Sequence, residues 1–189
     1  MKKVHTLSLL FVTAMCLSPV AKSYSQVAIS ADTLKSILIE DWVRAKAYTQ
    51  DYMKAMPPDK YNFRATDSVR TFAQQLLHIS QSFSFFIAIA TGQKPDFSTA
   101  RPLENIASAQ TADSVMYFVN TGYDAAINGL KNTSAADLMK KETFTMDKPY
   151  TSTRLSWFMK AFEHQTHHRG QTTIYLRLAG VKPPDERLF

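Results

Sequence analysis

This sequence predicts an all-α fold, a four-helix bundle, and three observations carry that prediction. The 189 residues hold only 5 glycines and 8 prolines against 12 Phe, 8 Tyr and 8 Met, so the turn punctuation of a sandwich or barrel is scarce. Four long stretches repeat apolar residues at three- and four-residue intervals, the period of a helix with one buried face. Two long connections separate them, as a bundle with crossover links permits. At 45% apolar and 20% charged residues the chain suits one domain with a sizeable core; disorder and a repeat array are excluded. Glycines this sparse also exclude a glycine-rich phosphate loop.

The first element along the chain is a targeting segment. Lys2 and Lys3 precede an apolar run over residues 7–17, and Ser23-Tyr24-Ser25 offers small residues where a signal peptidase reads. Residues 1–25 are therefore expected to be a secretory signal cut before about Gln26, too short for a convincing membrane span, leaving residues 26–189 as the domain and a periplasmic or secreted location. The alternative is a lipoprotein anchored through Cys16, although Met15 stands where lipoprotein signals place a small residue. Cleavage removes Lys2, Lys3 and Lys22 and no acid, so the formal charge falls from +6 to +3. The remaining basic residues are interspersed with acids, which argues against a nucleic-acid partner, and no membrane partner is expected after signal removal. Cys16 is the only cysteine, so the mature domain is expected to contain no disulfide and no thiol nucleophile.

The first helix is predicted over residues 31–56. Ser30 or Asp32 can cap it, Leu34, Leu38, Trp42, Ala45, Tyr52 and Met56 mark its apolar face, and Pro57-Pro58 stops it. The second is predicted over 67–91, with Gly92 as its stop and an apolar stretch from Phe83 to Ala90 that implies burial on nearly every side. An irregular polar stretch over 93–110 leads to the third helix, over 111–130, carrying Val115, Phe118, Val119, Tyr123, Ala126, Ile127 and Leu130. Residues 132–150 read as a connector whose structure the pattern leaves open. The fourth helix is predicted over 152–178, ending at Gly180 ahead of Pro183-Pro184.

The histidines carry the chemistry. His5 leaves with the signal, and three of the remaining four, His164, His167 and His168, fall within five residues of the fourth helix. Trp157, His164, Gln171 and Leu178 repeat at one seam position of that helix, and Ala161, His168 and Tyr175 at the other. His164 and His168 thus face inward one turn apart, while His167 points about 100° away from His168. Two buried imidazoles need hydrogen-bond partners or a metal, and the i, i+4 spacing lets both reach one ion. A buried polar network or an exposed helix stripe is the other reading of the same pair. A third ligand must come from another segment, and His78 is the histidine available. Periodicity places His78 with Phe85 and Ile89, nearly opposite the face of Val69, Phe72, Leu76 and Phe83, and by itself reads it as a capped or solvent-touching polar residue.

His164-Gln165-Thr166-His167-His168-Arg169-Gly170-Gln171, followed by Tyr175-Leu176-Arg177-Leu178-Ala179-Gly180 and Pro183-Pro184, resembles the DinB family, the DinB/YfiT-like metalloenzymes. Ala55-Met56-Pro57, Tyr61-Asn62-Phe63-Arg64 and Phe72-Ala73-Gln74-Gln75-Leu76-Leu77-His78-Ile79 stand in the family's order, so the resemblance spans 31–184. It implies an up-down-down-up four-helix bundle and a divalent transition metal, zinc, nickel or iron, held by His78, His164 and His168. It implies a metal-dependent hydrolase or thiol S-transferase acting on a small molecule, with a thiol among the candidate substrates; a non-catalytic metal- or ligand-binding bundle is the alternative. Gln171 and Tyr175, on the same seam, are expected to orient a metal-bound species. Related bundles often pair, so a homodimer through an apolar edge near Trp42 or Phe158 is also an expectation.

Overall fold

The structure, a computed structural model, describes residues 29–96, 101–145 and 147–189; the signal segment, Cys16 and the expected cleavage point lie outside them. Four long helices form where the periodicity places them. Helix α1 (Ala31–Ala55) starts at Ser30, whose side chain accepts from the Thr33 N–H at 3.0 Å, and stops just before Pro57-Pro58. Helix α2 (Phe72–Ala90) begins five residues later than predicted. The reason is a capping box: Thr71 Oγ1 accepts from Gln74 N–H at 3.1 Å while Gln74 Oε1 accepts from Thr71 N–H at 2.9 Å. Val69, assigned above to the helix face, therefore lies ahead of α2 and is exposed. Gly92 ends the helix with φ +79°, a conformation that other residues rarely adopt.

Helix α3 (Ala112–Asn132), capped by Thr111, buries Val115, Val119, Tyr123, Ala126, Ile127 and Leu130 as expected. The segment left undefined in the sequence holds a one-turn helix α4 (Ala135–Leu138) and an antiparallel hairpin, β1 (Lys141–Thr145) with β2 (Pro149–Thr153). Lys141 pairs with Thr153, so the hairpin ends where α5 (Arg154–Leu178) starts, and Thr153 caps that helix through Ser156 N–H. A two-stranded ribbon this short leaves little periodic signal, which is why residue pattern missed it.

Pairwise contacts give the path of the chain. Lys46–Asp124 and Gln50–Asn120 run α1 antiparallel to α3, and Gln75–Tyr175 with Phe86–Trp157 run α2 antiparallel to α5. Ser80–Phe118 followed by the approach of Ile87 to Gly129 runs α2 parallel to α3, and Trp42–Phe162 followed by Tyr52–Thr173 runs α1 parallel to α5. Those four directions are the expected up-down-down-up bundle. Helices α2 and α3 approach closely because Gly122 has no side chain; a Cβ there would lie 2.9 Å from Phe83. Trp42, Phe83 and Tyr123 meet edge-to-face at the centre, with Phe72, Leu76, Leu130 and Phe158 around them. Trp42 and Phe158 are themselves fully buried in this core, while their chain neighbours Val43 and Met159 are exposed. Among the described residues, no helix is long and apolar enough to cross a membrane.

Candidate metal centre

Because α2 packs on α3 with one side and on α5 with the other, the side of α2 opposite its main apolar stripe is largely covered and only partly open to solvent. It faces α5. The periodicity reading of His78 as solvent-touching holds in part, since the ring is half-buried, but by assuming one buried face per helix it missed the approach to α5. The antiparallel α2–α5 pair brings His78 level with His164 and His168. Ring centroids lie 5.2 Å apart for His78–His164, 4.6 Å for His78–His168 and 4.5 Å for His164–His168, and one ring nitrogen of each lies within 4.8 Å of the other two. His167 is exposed and sits beside the group, 3.1 Å from the Gln171 side-chain nitrogen.

Hydrogen bonds set the state of two of these rings. The Tyr175 hydroxyl donates to the Arg70 backbone carbonyl at 2.6 Å, so its oxygen accepts from Gln75 Nε2 at 3.3 Å. That turns Gln75 Oε1 toward His168 Nδ1 at 2.7 Å, and an amide oxygen only accepts. His168 Nδ1 therefore carries the hydrogen, with Gln171 Oε1 a second acceptor at 3.1 Å, and Nε2 keeps its lone pair. Glu104, on a 3-10 turn (Leu103–Asn105) in the connector after α2, does the same for His78. Its Oε2 lies 3.3 Å from His78 Nδ1, while Arg70 grips the carboxylate through Nε at 2.7 Å and Nη2 at 3.0 Å. Arg70 thus supports both histidines, one through its carbonyl and one through its guanidinium.

All three imidazoles are held neutral. Burial, then the charge that a protonated His78 would carry, push His164 down to about 4; burial, then a protonated His164, push His168 down to about 3. His78 is lowered by burial and by Arg70, with Glu104 opposing. His164 Nδ1 is buried without a hydrogen-bond partner among the described residues, the costly condition that an ion relieves. Three neutral imidazoles, two with their outer nitrogens already engaged and the third with a stranded one, form a donor set that could hold a metal ion.

The sequence prediction named the three histidines but missed their supports. Glu104 falls in a stretch read as irregular, and no periodicity links a loop carboxylate to a helix histidine. Arg70 precedes the cap of α2, and Gln75 looks like any helix polar residue. Gln171 and Tyr175 lie on the predicted seam, and both hydrogen-bond behind His168, Gln171 directly and Tyr175 through Gln75.

Two solved structures share the architecture. A DinB-like protein from Bacillus cereus superposes with a TM-score of 0.65 at 20% identity, covering 79% of this chain and 95% of its own. A DinB-like protein from Bacillus subtilis gives a TM-score of 0.58 at 18% identity, covering 81% of this chain and 96% of its own. Identities this low speak for the fold alone. None of the curated proteins matches the chain. The DinB family model, however, matches residues 30–187, nearly the whole described bundle with its three histidines, and the chain belongs to the DinB family.

Proposed function

We propose that this protein is an exported metal-dependent hydrolase or thiol S-transferase that binds one divalent transition metal, zinc, nickel or iron, through His78, His164 and His168. The observation that carries the reading is the convergence of three neutral imidazoles, two of them with the outer nitrogen already engaged. A bound ion would supply Lewis acidity, lowering the pKa of an entering water or thiol. The chain's own residues hold and aim the ligands. Gln75 and Gln171 keep the hydrogen on His168 Nδ1, Glu104 keeps it on His78 Nδ1, and Arg70 fixes Glu104. The His78 side chain retains 27% of its exposure, so the centre is reachable from solvent.

One observation favours the second reading, a bundle that holds metal or a small ligand without turnover. Glu104, the carboxylate beside the histidines, is taken up by Arg70 and His78, so it is not poised as a general base. Metal analysis of protein purified without a histidine tag tests the centre. A screen of esters, amides, epoxides and thiol-plus-electrophile pairs, run on metallated protein beside His168→Ala, then separates the readings: turnover by the first alone supports the enzyme, and equal background rates support the binding protein. Export rests on Lys2, Lys3 and the apolar run over 7–17. Intact mass from the native host should show a chain starting near Gln26; a retained N-terminus or a lipid on Cys16 would contradict it.

A further inference from the structure

A cleft of 520 Å³ near the start of α3 is lined by Asp59, Tyr61 and Asp113 among others and shares no residue with the histidines. A second cavity of 330 Å³ does relate to them. It lies where the hairpin folds against α2 and α5 and is lined by Phe85, Phe144, Lys148, Tyr150, Trp157 and Lys160. Phe85 stands seven residues beyond His78 on α2, and Trp157 seven residues before His164 on α5. Two helical turns along either helix is about 10 Å. Both walls thus place this cavity at the same distance from the centre, and Phe86 bridges the gap with its ring 5.6 Å from His164 and 6.3 Å from Trp157.

The lining is built for a flat ring. Trp157 is turned by its indole N–H, which donates to the Glu142 carbonyl at 3.4 Å, and Tyr150 stands edge-on to it at 5.5 Å. Among the described residues of the lining, the two charged side chains are both lysines. Lys160 sits 5.0 Å from the Tyr150 ring, Lys148 lies on the hairpin, and among the described residues neither pairs with a carboxylate. Glu142, the acid of the adjoining strand, is held by Arg154 at 2.7 Å. Two ammonium groups without an ion-pair partner among the described residues, one of them over the Tyr150 ring, disfavour a cationic ligand and favour an anionic one.

We infer that this cavity is a binding subsite for an aromatic group bearing one negative charge, carried by a substrate whose reacting bond lies about 10 Å away at the histidines. The link to a reacting bond rests on the metal reading above; the subsite itself does not. The probe is 1-naphthoate, with the neutral 1-naphthylmethanol as its counterpart, titrated into metal-free full-length protein and into its His164→Ala variant. The chain has two tryptophans, so two indole N–H resonances report: Trp157 in the cavity and Trp42 in the core. Naphthoate should shift the Trp157 signal and leave Trp42 still, with the same affinity in both proteins. Replacing the exposed Lys148 and the half-buried Lys160 by Ala should weaken naphthoate about tenfold and leave naphthylmethanol unchanged. Loss of naphthoate binding in metal-free protein or in His164→Ala would assign its carboxylate to the metal centre and overturn the subsite. So would equal weakening of both probes, or no Trp157 shift. If metal analysis shows no metal while naphthoate still binds here, the metal reading fails and the subsite stands; the converse result sinks only the subsite.

Discussion

Two stripes of α5 bury polar side chains, and they differ in what is left over. His164 and His168 face α2, with Gln171 beside them, whereas Gln165 and Arg169 face α1 and α3, with Thr172 on the same stripe. On the second stripe Gln165 Oε1 accepts from Tyr123 at 2.8 Å and from Arg169 Nη1 at 2.9 Å, the Arg169 guanidinium lies 4.6 Å over the Tyr48 ring, and Thr172 donates to the Arg169 carbonyl at 2.6 Å. No polar side-chain atom of that stripe is stranded among the described residues, while the first stripe leaves His164 Nδ1 without a partner and draws three rings together. Burial of polar groups is thus no sign of a site. Convergent donors whose needs the fold itself does not meet are the sign.

The largest test of that contrast removes a ligand. Structural zinc sites are worth roughly 10–16 kcal/mol over their ligands, so His168→Ala should weaken metal binding on the order of a thousandfold, read by calorimetric titration, with little change in helical content. The same measurement on Gln165→Ala should show unchanged metal affinity. Next in size is Arg169→Ala, which strips a buried cation from its acceptors and from Tyr48: stability should fall by about 2–3 kcal/mol in urea unfolding while metal affinity holds. If Arg169→Ala lost metal instead, the two stripes would not be independent.

A smaller effect sharpens the role of the supports. Glu104→Gln removes the charge behind His78 and should lower metal affinity about 10- to 100-fold without a comparable loss of stability. The smallest concerns pH. With His164 at about 4 and His168 at about 3, both rings stay neutral well below an ordinary histidine, so their contribution to metal affinity should hold as pH falls from 7.5 to about 6 and be lost as pH approaches about 4. In metal-free protein the folded rings bind protons less readily than unfolded ones. Stability is therefore full above the unfolded value of about 6.5 and declines as pH falls toward about 3. His168→Ala should flatten that decline, and Gln165→Ala should not.

The helices themselves were legible before any coordinates. Ser30 and Pro57 bound α1, Gly92 ends α2, the apolar repeat from Val115 to Leu130 is α3, and Gly180 follows α5, all read from local rules of capping and period. The start of α2 was not, because Asp67 and Thr71 both suit a cap and the reciprocal bond with Gln74 chooses Thr71. The hairpin also escaped, since five-residue strands carry little pattern.

For the centre, the sequence by itself determined that His164 and His168 share the inner face of one helix, because a turn of helix is a local geometry that spacing alone sets. Whether that face meets a third donor is a matter of which helices are neighbours and in which direction they run. The motif resemblance named His78, but the physical reason that it joins them is the antiparallel docking of α2 on α5, since α2 is covered on two sides and its second side is this one. Only the fold of the connector brings Glu104 back beneath His78 and into the grip of Arg70, residues separated by 34 positions that no period relates. A helix face follows from near neighbours in the chain, whereas a donor set assembled from three segments depends on packing free energies summed over the whole core.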